Sequence, residues 1–355
     1  MIDPTTHVPT RMRREIGQIP SVVERVLASR DLTGRVARAI AEADPRWVMI
    51  AARGTSDHAA IYAQYLIETH LGIPTGLVKP SVTTVYGATV DWRGGLVLAI
   101  SQSGQSPDVV AVVEAARDSG ALTVALTNDP ASPLAGTAAL TLELQAGRER
   151  AVPATKTYVA ELAAVAALVA ELRPSDELTA GLAALPHALR DTIGRTDAWL
   201  AEDGEATVDA LAATDRALLV SRGYNLATAL ELALKLKETL GIFAEGYSTA
   251  DFAHGPLVLA AEGVPTVAIR PDGPMGADVD ATLAGVGSRG GRITVIGGPG
   301  AGAGSGTLSL PAPLTEALTP LVYVVPGQLL VEATAVRLGV DPDMPLGLNK
   351  VTLTR

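Results

Sequence analysis

The sequence predicts an α/β protein built from two tandem, doubly wound parallel-sheet domains with helices on both faces. Three observations carry that expectation. Apolar, strand-like runs alternate with helical patterns along most of the chain. The chain repeats itself at a nearly constant spacing. One strand pattern, Leu96 to Ile100, leads directly into Ser101-Gln102-Ser103-Gly104-Gln105-Ser106 and then into a helix start at Pro107-Asp108.

The repeat is read from collinear matches. Arg53-Gly54 and Arg222-Gly223 each follow an apolar run, 169 positions apart, and Leu71-Gly72-Ile73 recurs at the same offset as Leu240-Gly241-Ile242. Ala99-Ile100 with Gly104 recurs as Ala268-Ile269 with Gly273. Gly120 to Val124 faces Gly291 to Val295 at an offset of 171. The period is far too long for a solenoid, so the units are domains.

Residues 1–34 read as a helical lead-in. The first domain, 35–172, has strands near 47–52, 96–100, 122–127 and 138–144, and helices near 56–71, 107–119 and 155–172. A helical connector, 173–214, is punctuated by Pro174 and Pro186. The second domain, 215–340, has strands near 217–221, 265–270, 292–297 and 307–310, and helices near 225–241, 277–288 and 319–338. Gly297 to Gly306 reads as a surface loop, and 341–355 as a non-helical tail. Gly285, Gly287 and Gly290 spell G-x-G-x-x-G, but they end a helix and precede a strand, the reverse of a dinucleotide fingerprint.

Composition narrows the function. The 355 residues are 48% hydrophobic, enough for two cores, but only 3% aromatic, so those cores are aliphatic. A formal net charge of −10 argues against a nucleic-acid or anionic-membrane partner. With no cysteine, disulfides, thiolate nucleophiles and Cys-ligated zinc are excluded. Arg11, Arg13 and Arg14 are followed by no apolar signal region, and the apolar run around Ala160–Ala170 is interrupted by Glu161 and Glu171. The expectation is a soluble cytoplasmic protein.

Two constellations carry chemistry. In the loop after Ile100, helix-start N–H groups meet the hydroxyls of Ser101, Ser103 and Ser106, an uncharged cradle suited to a phosphate monoester. In the second domain, Glu231, Lys235 and Glu238 recur at steps of four and three on one helical face, and His254-Gly255-Pro256 follows in a turn. A carboxylate beside a cation makes a candidate acid–base pair, and a histidine in a turn after that helix is a further candidate for proton transfer near neutrality.

With those pieces in view, the chain resembles the sugar isomerase (SIS) family, in particular the isomerase half of glucosamine-6-phosphate synthase and its stand-alone relatives. The resemblance rests on Arg53-Gly54-Thr55-Ser56, Ser101 to Ser106, Val152-Pro153-Ala154-Thr155-Lys156, Glu231-x-x-x-Lys235-x-x-Glu238, His254-Gly255-Pro256 and Asn349-Lys350. It implies that Ser101, Gln102, Ser103 and Ser106 bind the sugar phosphate. Gly54, Thr55, Ser56, Val152, Ala154, Thr155 and Glu231 would complete the substrate pocket. Glu238 would be the proton-transfer base, and Lys235 its neighbour and enolate stabiliser. His254 would open the ring, reaching in from the partner of a homodimer, and Lys350 would close over the substrate. Departures are Arg53 for the usual cysteine, Gln105-Ser106 for an acid and a threonine, and Ala154 for serine. The synthase's glutaminase domain is not expected, and no metal or cofactor is needed.

The resulting expectation is a glucosamine-6-phosphate deaminase giving fructose 6-phosphate and ammonia. Alternatives are a fructosamine-6-phosphate deglycase, a galactosamine-6-phosphate deaminase and, in another class, a non-catalytic sugar-phosphate-binding regulator. A dinucleotide-dependent oxidoreductase rests only on the misplaced glycines.

Overall fold

The structure is a computed structural model that describes residues 9–301, 306–311 and 315–350. The ends of the lead-in and tail, and the middle of the glycine-rich loop, lie outside the described residues.

Three helices open the chain: α1 Arg11–Gly17, α2 Ile19–Ala28 and α3 Arg30–Ala43. The first unit then runs β1 Val48–Ala51, α4 Thr55–Leu71, β2 Thr75–Leu77, α5 Ser81–Thr84, β3 Leu96–Ile100, α6 Pro107–Asp118, β4 Leu122–Thr127, α7 Pro133–Thr137, β5 Leu140–Glu143 and α8 Lys156–Leu172. Helices α9 Asp176–Leu200 and α10 Glu205–Ala212 connect the units. The second unit runs β6 Arg216–Ser221, α11 Leu226–Leu240, β7 Phe243–Ser248, α12 Thr249–Ala253, β8 Pro265–Arg270, α13 Gly276–Gly287, β9 Arg292–Gly297, β10 Thr307–Ser309 and α14 Thr319–Leu338.

Both sheets are parallel and five-stranded, in the orders β2-β1-β3-β4-β5 and β10-β9-β8-β6-β7. Numbered within its own unit, each reads 2-1-3-4-5, a doubly wound order whose direction reverses between the first and third strands. The duplication seen in the sequence is therefore a duplication of topology.

Side-chain alternation places the two sheets around one shared layer of helices. Val48, Ile50, Leu96, Leu98 and Ile100 from the first sheet, and Ala217, Leu219, Val267, Ile269 and Ile296 from the second, belong to a single core with α2, α3, α4, α8, α9, α11 and α14. The alternate residues, Val97 and Ala99 on one side and Leu218 and Val220 on the other, face the outer helices in two smaller cores. Helix α8 is buried almost throughout its first three turns, which explains its alanine-rich, nearly unbroken apolar sequence. Glu316–Leu338, by contrast, is long and apolar enough to cross a bilayer, a feature the sequence expectation passed over. Its most apolar 18-residue stretch is 78% buried inside the protein, and it serves as a core helix.

Two local expectations change. Pro186 does not punctuate the connector, because α9 runs through it for 25 residues. The helix packs against both α2 and α14, so tertiary packing offsets the lost hydrogen bond. The sheets also have edge strands, β2 and β7, that the apolar pattern did not announce. The G-x-G-x-x-G glycines lie at the end of α13 and in the turn before β9, as expected.

Candidate active site

The two first-unit strands at the direction reversal, β1 and β3, end beside one another. Their loops face a common cavity of about 370 Å³ lined by Arg53, Gly54, Thr55, Ser56, Ser101, Gln102, Ser103, Ser106, Val152, Ala154, Glu238, Leu348, Asn349 and Lys350. Open α/β sheets place ligands at this point, where flanking helix N-termini present free N–H groups.

The hydroxyl loop is shaped by its own bonds. Ser101 Oγ accepts from the Gly104 N–H at 3.2 Å, and Ser103 Oγ accepts from the Gln105 N–H at 3.3 Å. Gly104 has φ +61°, and a Cβ there would lie 2.1 Å from Ser132 Oγ at the start of α7. Only glycine fits both the conformation and the approach. Ser106 occupies the N-cap of α6 but its side chain makes no capping bond, so its hydroxyl is not spent on its own helix.

Helix α11, which adds Glu238 to the cavity lining, packs against α4 from the first unit. Lys235 is fully buried; its Nζ lies 2.5 Å from Glu238 Oε2, 3.3 Å from Glu231 Oε1 and 3.1 Å from Thr55 Oγ1. Burial alone would push the ammonium's pKa down, but the two carboxylates outweigh it and hold Lys235 above the ordinary lysine value. Glu231 is also buried and accepts from Thr55 Oγ1 at 3.1 Å, with His58 Nδ1 at 2.8 Å. Glu238 alone of the three reaches the cavity wall. The stripe is thus a graded device: one carboxylate anchors the lysine and the other meets the cavity.

The tail supplies the third wall. The N–H groups of Arg11 and Met12, at the start of α1, each donate to the Asp343 carboxylate at 2.8 Å. The Val152 N–H donates to the Asp343 carbonyl at 2.9 Å. So fixed, the tail brings Lys350 Nζ to 2.8 Å from Glu149 Oε2 and 3.5 Å from the Val152 carbonyl. Glu149 is wholly buried. Desolvation would raise its carboxyl, but the Lys350 ammonium, the Thr157 hydroxyl and the Thr155 N–H prevail and hold it below the usual carboxylate range.

The structure therefore gathers Ser101, Gln102, Ser103, Ser106, Gly54, Thr55, Ser56, Val152, Ala154, Glu238 and Lys350 around one cavity. Lys235 and Glu231 stand behind the wall. Thr155 also stands off it: its N–H and hydroxyl are both turned to Glu149, at 2.9 and 3.4 Å. The Val152 N–H is likewise taken by the tail. His254 is exposed and lies outside this cavity.

Sequence reasoning missed Glu149, His58, Glu161 and Arg53 as members of the site. Ser56 Oγ donates to Glu161 Oε1 at 2.7 Å beneath the floor. Burial, with Glu231 and Glu149 nearby, pushes Glu161 up to about 8 against the Ser56 bond. The sequence signal for any of these was Arg53's place directly before Gly54-Thr55-Ser56 at the end of an apolar run. In the second unit the matching place is filled: Glu316 lies against both Gly223, after β6, and Gly273, after β8. The protein's own carboxylate sits where the first unit leaves its cavity open.

The SIS domain family model matches residues 43–171 and 210–301, one stretch in each unit. The isomerising glutamine–fructose-6-phosphate aminotransferase of Methanothermobacter thermautotrophicus is 35% identical over 347 residues, covering 96% of this chain and 56% of that protein. The chain thus spans a little over half the length of that relative. A candidate phosphosugar isomerase of Silicibacter pomeroyi DSS-3 is 38% identical with a TM-score of 0.86, covering 94% of this chain and 100% of that one. The glucosamine-6-phosphate deaminase of Thermotoga maritima has a TM-score of 0.76 at 20% identity, covering 97% of this chain and 100% of its own, a likeness of fold.

Proposed function

The chain belongs to the SIS domain family, and from that premise we propose that it is an amino-sugar-phosphate isomerase and deaminase acting on glucosamine 6-phosphate. One observation carries the reading: a single cavity is lined both by the hydroxyl cradle and by the Lys235-backed Glu238 carboxylate.

In this reading the cradle binds the phosphate and the open-chain aldehyde lies against Glu238. Glu238 removes the proton on C2 while O1 gains a proton, giving an enolamine. The Lys235 ammonium keeps the developing negative charge close to a fixed cation. Returning the proton to C1 gives the imine of fructose 6-phosphate, and water at C2 then releases fructose 6-phosphate and ammonia. Lys350, docked by Glu149, covers the reacting end. Ring opening falls to His254. Because His254 lies outside its own chain's cavity, the reading places it in the cavity of a second subunit, so the active unit is a homodimer. A cytoplasmic location belongs to the same proposal.

The test is to incubate the purified chain with glucosamine 6-phosphate and measure fructose 6-phosphate and ammonia together. Equal amounts of both are expected, and a Glu238→Gln variant should be slower by about 10²- to 10⁴-fold. Absence of either product above the variant's level would refute the reading.

A further inference from the structure

The structure gives Arg53, the first residue of the Arg53-Gly54-Thr55-Ser56 segment, a place that a purely structural arginine does not need. It follows β1 and lines the same cavity as Ser101, Gln102, Ser103 and Ser106. Its Nε and Nη2 lie 2.8 and 2.7 Å from Asp108 Oδ2. Asp108 is 1% exposed, sits in the first turn of α6 just after Ser106, and is not part of the cavity wall. The Arg53 side chain is 45% exposed.

A guanidinium carries five N–H bonds. The Nε–H is donated to Asp108, Nη2 is ion-paired to the same carboxylate oxygen, and the other donors have no acceptor among the described residues. The buried carboxylate therefore locks the fork in one orientation while leaving donors for something in the cavity. A fork fixed in advance loses little freedom on binding and suits the planar, bidentate recognition of phosphate. The rest of the cradle is hydroxyls and amides, which hydrogen-bond an anion without distinguishing one charge from two.

We propose that Arg53 is a substrate-binding residue that reads the second negative charge of the phosphate, so that this site selects a dianionic phosphate monoester over singly charged or neutral groups of the same shape. Asp108 is its positioning residue. The inference deepens the sugar-phosphate reading above and rests on it.

Calorimetry with three open-chain probes that cannot isomerise, glucitol 6-phosphate, glucitol 6-sulfate and glucitol, tests it on the full chain. Near neutrality the phosphate carries about −1.5 to −2 and the sulfate a single charge. Wild type should prefer phosphate to sulfate by about tenfold or more, with no detectable binding of glucitol. Arg53→Gln should weaken phosphate binding by about 10- to 100-fold, with Arg53→Lys in between. Since Arg53→Gln strands the buried Asp108, the deciding protein is the double variant Arg53→Gln/Asp108→Asn, which removes both charges. It should fold, bind phosphate and sulfate about equally, and bind both weakly. Wild-type phosphate affinity and preference in the double variant would overturn the inference and leave the sugar-phosphate reading standing. Failure of the wild type itself to bind glucitol 6-phosphate would overturn that reading, and this one with it.

Discussion

Glu161 illustrates what one buried side chain does to the stability of the whole protein. It ordinarily ionises near pH 4.5, but burial and the neighbouring Glu231 and Glu149 push it up to about 8. Between those values the native state holds a proton that the unfolded chain has released, so stability falls as pH rises through that window. Glu161→Gln keeps the shape and the contact to Ser56 without the charge. Urea unfolding at pH 5 and pH 8.5 should show near-equal stability at the first. At the second, the variant should be more stable by about 3–5 kcal/mol. An advantage that is the same at both pH values would sink the argument. Glu149 works in the opposite direction: with its carboxyl held below the usual range, its stabilising bonds are present at neutral pH and are lost on acidification. Both glutamates were illegible as site residues, because a lone acid near or inside an apolar helical pattern carries no period or motif. The serines of the Ser101–Ser106 loop, by contrast, were legible from their position between an apolar strand and a helix start.

Among the elements, α11 positions the proposed chemistry, and its seat on β7 is unusually tight. A Cβ on Gly246 would lie 2.9 Å from the Ala229 carbonyl oxygen and from Leu230 Cα, backbone atoms that cannot step aside. Gly246→Ala should therefore lift α11 from the sheet. A loss of about 1–3 kcal/mol is expected from denaturant unfolding. Turnover should fall by more than that loss alone explains, because Glu238 rides on the same helix. Unchanged unfolding would show that the contact relaxes freely. Strand β7 also shows why some elements escaped the sequence. Phe243 to Ser248 is an edge strand with mixed burial, so it lacks the continuous apolar run that marked β3 or β8. Its identity as a strand comes from pairing with β6, a tertiary fact. The passage of α9 through Pro186 has the same origin, since a local breaker was overruled by packing on both sides.

At the scale of the whole molecule, two copies of one topology have diverged into different roles. The first keeps an open crevice at its direction reversal; the second fills the matching place with Glu316, whose burial raises its pKa. The second unit instead contributes α11, which crosses to α4 and closes the proposed site from behind. His254 is exposed, and close to it in sequence Val258 and Leu259 are 74% and 49% exposed, a surface in keeping with burial against another subunit. Inactive His254→Ala and Glu238→Gln chains, mixed and allowed to exchange, should then regain about a quarter of wild-type activity, the fraction of sites that pair two intact residues in a random mixture of dimers. No recovery in a mixture proven to exchange would rule out the shared site. The sequence by itself determined the α/β class, the duplication, the strand–loop–helix cradle and the helical acid–base stripe, because each is written in short-range periodicity or in neighbouring residues. Only the tertiary structure decided which members of the stripe reach the cavity, how the tail is pinned over it, and that Arg53 faces the cradle from a buried aspartate. Those relations join residues tens to hundreds of positions apart, and burial, which no local pattern encodes, sets which of them meet.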